Sequence, residues 1–243
     1  MAGVAVGWGV DLAILGLLLV VLVGWIQLLL ILRNLGRELR RQKQCRRRAT
    51  PAEEGPILEA MAALGVRVRV VWVYDVNQVN AYSPVRGCMS VTEGYLRAAP
   101  WWQSAILAHE AGHARLRHTA KAMAVAVVLE AGWVACLGSL VSLSSVGGEI
   151  ALIVLSMVAL VSPLVVIGTL GRSHEYAADR WAVEHGGITE GVYQAHLAAF
   201  YHHPPHMTLW DRLLATHPTP ERRAARLTRW LRGGRHTHLQ GVG

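Results

Sequence analysis

The chain has 243 residues, 53% hydrophobic and 16% charged, with a mean hydropathy of +0.31. That composition excludes a disordered chain and argues against a plain water-soluble globule, in which nearer a quarter of residues are charged. The net charge of +8 raises nucleic-acid binding, but much of the basic charge abuts an apolar run and no nucleic-acid motif accompanies it, so no nucleic-acid partner is expected.

Residues 1–11 carry no Lys or Arg, and Leu12 to Leu32 is apolar except for Gln27. A run of that length predicts a membrane-spanning helix over 12–32 rather than a signal peptide, which is shorter and follows a basic segment. Arg33, Arg37, Arg40, Arg41, Lys43, Arg46, Arg47 and Arg48 follow. By the positive-inside rule residues 1–11 lie outside the cytoplasmic membrane and the polybasic linker 33–56 lies in the cytoplasm. Cys45, Cys88 and Cys136 are too few and too scattered for a disulfide framework.

A first part of an aqueous catalytic domain is expected over 57–121. Ile57, Leu58, Met61 and Leu64 repeat at helical spacing and stop at Gly65. Val66, Val68, Val70, Trp72 and Tyr74 then alternate with Arg67, Arg69, Val71 and Val73, a strand with one wetter face. Short strands at 79–82 and 88–92 complete a small antiparallel sheet, with turn residues at 75–78 and 83–87. From Pro100 no breaker pair occurs before Gly147 and Gly148, so one helix is expected to run from there into a second apolar span, 122–143. A six-residue external loop, 144–149, leads to a third span, 150–170, and the chain returns to the side it left. Glu130 is a costly mid-span acid. The second catalytic part is expected over 171–232, with a disordered tail at 233–243.

His109-Glu110-Ala111-Gly112-His113 fits HExxH. Histidines four apart share one helix face, so both imidazoles reach one zinc while Glu110 reaches a metal-bound water as general base. Glu175, after the third span, supplies the carboxylate that a two-histidine catalytic zinc commonly takes as third ligand. Asp179, one turn later, is spaced to accept the spare N–H of a ligating histidine. His113 lies about 10 Å of helix before the second span and Glu175 about 7.5 Å after the third. Both arms therefore bring their ligands to the same height above one membrane face. His118 reads as facing the interface rather than the metal, and His174 points about 100° away from Glu175. His202, His203 and His206 read as a solvated loop.

LAHEAGHARLRHT, EYAADRWA after a membrane hairpin, and THPTPERRAARL together resemble the HtpX-type membrane metallopeptidases, relatives of the type I CAAX prenyl proteases, over about residues 57–231. The resemblance implies a zincin-like (gluzincin) fold, so the expected class is a mainly α-helical membrane protein with a gluzincin catalytic domain, the small antiparallel sheet and the three transmembrane helices read above. It implies one Zn2+ per chain on His109, His113 and Glu175, with Glu110 as base. It also implies a substrate-contacting Asn80, a transition-state-stabilising His217, and Arg223 as the arginine that follows the His-Pro motif. Such proteins usually have two spans before the zinc helix, whereas one is expected here. The expected activity is a zinc endopeptidase acting at the cytoplasmic face on peptide or membrane-protein substrates, with the lipid bilayer as its other partner. One alternative is a maturation protease for a single peptide or prenylated-type substrate. The other is a zinc-loaded sensor without turnover, against which Glu110 counts, because zinc retention alone does not use it.

Overall fold

Thr50 fixes where the first helix begins. In a computed structural model, which describes residues 46–85, 87–141, 146–200 and 217–238, helix α1 spans Pro51–Ala63. Thr50 donates its backbone N–H to Glu53 Oε2 at 2.8 Å in a capping box, and Pro51 opens the first turn, where its missing N–H costs nothing. Gly65, at φ 70°, takes the left-handed conformation just past the helix end.

Among the described residues four strands form one sheet: β1 (Arg46–Arg48), β2 (Val70–Tyr74), β3 (Ala81–Val85) and β4 (Cys88–Thr92), in the order β1-β2-β4-β3. The expected three-stranded antiparallel sheet is corrected to a mixed one of four strands. After β2 the chain skips a place, lays β3 at the edge, and turns at Gly87 (φ 82°). Strand β4 then fills the gap, parallel to β2 and antiparallel to β3. The fourth strand comes from the polybasic stretch. Arg47 holds it with a two-pronged contact to Glu53 (2.7 Å for each prong) and a bond to Glu93 (2.8 Å), while Arg46 lies 4.4 Å over the Trp72 ring.

The expected strand over 66–74 shortens to β2, and its buried face is the other one. Val71 and Val73 are fully buried, whereas Val70 and Trp72 are half-buried. The arginines at 67 and 69 lie before the strand, so the alternation is set by what packs on α1 and α3 (Pro100–Arg115). There Val71, Val73, Met89 and Val91 meet Ile57, Met61, Ile106, Leu107 and Ala111 in one core. A short helix, α2 (Glu93–Arg97), joins sheet to α3.

The Arg47–Glu53 pair carries a pH consequence. Hydrogen bonds from Arg47 hold the Glu53 carboxyl down at about 2, from an ordinary 4.5. A depressed acid contributes its stability in full above the unfolded value and loses it as pH falls through the folded one. The pair is partly exposed, so the expected loss between pH 4.5 and 2 is about 0.5–1 kcal/mol. Urea midpoints measured over that range should fall less steeply in Arg47→Ala than in wild type.

The single long helix expected from Pro100 is two helices. Helix α3 ends at Arg115, Leu116 closes it, and α4 (His118–Val141) starts afresh. Between them Arg117 sits at φ 55°, a turn that neither Gly nor Pro announces. Helix α5 covers Val146–His185, α6 Glu190–Phe200 and α7 Pro220–His238. Helix α7 thus continues past residue 233, where a disordered tail was expected; residues 239–243 lie outside the described residues.

The chain divides into two units, Met1–Arg41 with Ala122–Ile167, and Gln42–Lys121 with Gly168–Gly243. The second holds the sheet, its core, and a smaller cluster in which Ala105, Ala108, Ala182, Tyr193, Leu197 and Leu227 pack together. In the first, Trp133 Nε1 donates to Ser162 Oγ at 2.9 Å. The expected span 12–32 lies outside the described residues, as do His202, His203, His206 and the Glu130 side chain. Spans 122–143 and 150–170 fall on α4 and α5, though residues 142 and 143 and many side chains along them lie outside the description. Among the described residues no helix is long and apolar enough to cross a membrane. The architecture is mainly helical with a small mixed sheet.

Candidate metal centre

Helix α3 carries His109, Glu110 and His113, and the far end of α5 carries Glu175 and Asp179. Gly112 lets the two meet. A Cβ at Gly112 would stand 3.1 Å from both Cα and O of Ala178, closer than side chains ordinarily tolerate. Gly112→Val is therefore expected to force α3 and α5 apart, at an overpacking cost of about 1–3 kcal/mol. Because Ala178 rides on the helix that carries Glu175, metal affinity should fall with stability. Unfolding curves of metal-free protein and chelator competition would read the two losses together.

The ligand atoms of His109, His113 and Glu175 all lie within 4.8 Å of one another. His109 Nε2 and His113 Nε2 are 3.0 Å apart. Glu175 brings Oε2 to 3.4 Å from the first and Oε1 to 3.4 Å from the second. Glu175 Oε2 is buried and makes no hydrogen bond. Two imidazole nitrogens and a carboxylate oxygen that makes no hydrogen bond face one point, the donor set that a catalytic zinc takes, so these residues fit a zinc ion. Glu110 sits half-buried beside them.

Behind His109 lies a dense polar group. Its Nδ1 is 3.1 Å from Asp179 Oδ1 and 2.9 Å from the Tyr193 hydroxyl, which donates to Asp179 Oδ1 at 2.6 Å. Arg223, from α7, donates through Nε to Asp179 Oδ2 at 2.9 Å and through Nη2 to Oδ1. Its Nη1 stands 3.1 Å from Glu175 Oε2. Arg223, Asp179 and Tyr193 are all at most 2% exposed.

The charges follow from these contacts. Burial alone would raise Glu175, but the two imidazoles and Arg223 outweigh it and hold the carboxyl far below its usual range. Burial likewise opposes ionisation of Asp179, and Arg223 beside it prevails. Burial and Arg223 both disfavour a charged His109, yet its bonds to Asp179 and Glu175 lift the imidazole up to about 9. His118 goes the other way: burial, then the neighbouring His113, push it down to about 3.

The structure thus brings together His109, His113, Glu175, Asp179 and Arg223, five residues the sequence singled out. His217 joins at the rim, its ring 55% exposed and its Nε2 3.3 Å from Glu175 Oε1. Asn80 is engaged locally: its Oδ1 accepts from the Ala81 N–H at 2.8 Å, and its own N–H donates to Thr92 Oγ1 at 3.0 Å.

Tyr193 escaped the sequence reading, and His118 was misplaced by it. Tyr193 lies on a separate helix with no motif around it; the polar pair Tyr193 and His196 on one face of α6 is the sole local cue. His118, placed at the interface by its sequence position, is instead 5% exposed and against His113. The break at Arg117 redirects it.

The model of peptidase family M48 matches residues 55–231. Among solved structures, the chain is similar to that described as the crystal structure of S. mikatae Ste24p, with a TM-score of 0.50 and 18% identity. The match covers 73% of this chain and 50% of that one, so the chain spans about half the length of that relative. At that identity the likeness speaks for the fold.

Proposed function

We propose, from the premise that this chain belongs to peptidase family M48, that it is a membrane-bound zinc endopeptidase whose catalytic face lies in the cytoplasm. The observation that carries the reading is the convergence of three ligand atoms within 4.8 Å. His109, His113 and Glu175 would hold one zinc ion. When bound, zinc polarises a carbonyl and acidifies water at this place.

The remaining work falls to the protein. Glu110 takes a proton from the attacking water and returns it to the leaving amine. His217, exposed at the rim, donates to the oxyanion that develops on the substrate, and Asn80 contacts the substrate chain. Asp179 and the Tyr193 hydroxyl fix the His109 ring through its far nitrogen, and Arg223 holds Asp179 in place. Strand β3 lies at a sheet edge, where an extended peptide can add main-chain hydrogen bonds tolerant of sequence.

The membrane spans 12–32, 122–143 and 150–170 belong to this proposal. The polybasic run after the first supports the orientation. Side chains such as Val127, Val128 and Val154, 55–70% exposed along α4 and α5, support contact with lipid.

The test uses the full chain purified in detergent, measuring bound zinc and cleavage of an unfolded membrane protein. One zinc per chain is expected, with cleavage lost on chelation and restored by added zinc. A zinc-loaded protein that cleaves no member of a broad peptide library would overturn hydrolysis and leave a binding role. A protein that holds no zinc would overturn the ligand assignment.

A further inference from the structure

On an unbroken helix, the residue five places after His113 lies about 140° round the axis and faces elsewhere. The chain does not stay unbroken. Arg117 takes φ 55°, the one non-glycine positive φ among the described residues. For a residue with a Cβ that conformation costs about 1 kcal/mol or more, and such excursions gather where a site requires them. Its effect is to turn His118 back. His118 Nδ1 stands 3.0 Å from His113 Nδ1, the ring planes at 82°. On α5, His174 stacks on the His118 ring at 4.1 Å and 5°.

We propose that His118 is a positioning residue for the metal centre: it accepts the Nδ1–H of His113 and so aims His113 Nε2 at the zinc, while the His174 stack holds the His118 ring in plane. The proposal rests on the zinc-ligand reading above. The protons are fixed by elimination. A neutral imidazole that ligates through Nε2 carries its hydrogen on Nδ1. Two Nδ1 atoms 3.0 Å apart form a hydrogen bond only if one is bare. His118 Nδ1 is the bare one, and its own hydrogen sits on Nε2. The two zinc histidines are then supported unequally. His109 leans on a carboxylate tied to Arg223, and His113 on an uncharged ring.

The experiment measures zinc affinity of the full chain in detergent by chelator competition, together with the visible absorption of the Co2+-loaded protein. His118→Leu removes the acceptor, while His118→Asn puts an oxygen near the place of Nδ1. Losing an outer partner of a ligating histidine typically costs about 10–100-fold in metal affinity. That loss, with a shifted Co2+ band, is expected for His118→Leu, whereas His118→Asn should stay within about 3-fold of wild type. His174→Ala, which leaves the acceptor but frees its ring, is expected to fall between them, and it decides the matter should His118→Leu fail to fold. Wild-type affinity and spectrum in both His118→Leu and His174→Ala would overturn the proposal. So would an equal loss in His118→Asn and His118→Leu. A wild-type chain that binds no zinc defeats the ligand reading beneath it, a result distinguishable from either.

Discussion

Arg223→Met is expected to destabilise the protein by about 3–5 kcal/mol, the usual cost of stripping one partner from a buried charge cluster. Arg223 is 2% exposed and touches two carboxylates, Asp179 through Nε and Nη2 and Glu175 through Nη1. Methionine fills much of the space but leaves Asp179, 1% exposed, without the guanidinium that pairs with it. The same substitution made with Asp179→Asn should cost less than the sum of the two, since neither charge is then stranded. Arg223→Lys keeps the charge and loses the fork, and should lie between. Denaturant unfolding of the metal-free proteins gives all four numbers. A loss below about 1 kcal/mol for Arg223→Met would mean that water reaches Asp179 and that the cluster is not dry.

The second large effect is on turnover. Glu110→Gln is expected to bind zinc as the wild type does and to lower kcat by about 10²–10⁴-fold, the span associated with a positioned general base. Glutamine keeps the shape of the side chain and cannot take up a proton. Glu110 follows His109 directly on α3, so it stands beside the ligand face without being part of it. Zinc stoichiometry and single-turnover cleavage, measured on the same preparation, separate chemistry from metal loss. A variant retaining a tenth or more of the wild-type rate places the base elsewhere.

The sequence announced the site better than the fold around it. Spacing alone put His109 and His113 on one helix face and Asp179 one turn after Glu175, because helical geometry is local and periodic. What escaped depends on contacts between distant segments. Tyr193 is 84 residues from His109, and nothing near it in the chain signals the contact. His118 was misplaced because Arg117 leaves the helix without Gly or Pro, and only the packed structure sustains that conformation. Three consecutive arginines make a poor strand by propensity, yet β1 forms because Glu53 and Glu93 meet Arg47. The parallel pairing of β2 with β4 was equally hidden, since alternation reveals faces and not neighbours.

His109 and Arg223 touch across 114 positions of chain, and this separation orders events during synthesis. Both histidines leave the ribosome early, then Glu175 and Asp179, and the arginine that neutralises the two acids comes last. Until it arrives, burying those acids is opposed by their own charge, and closing so long a loop carries an entropic toll that the nascent chain meets only at the end. A chain stopped before α7 therefore holds every ligand and lacks the means to bury them. The cluster of ligands and their buried partners is thus completed only once α7 has been made.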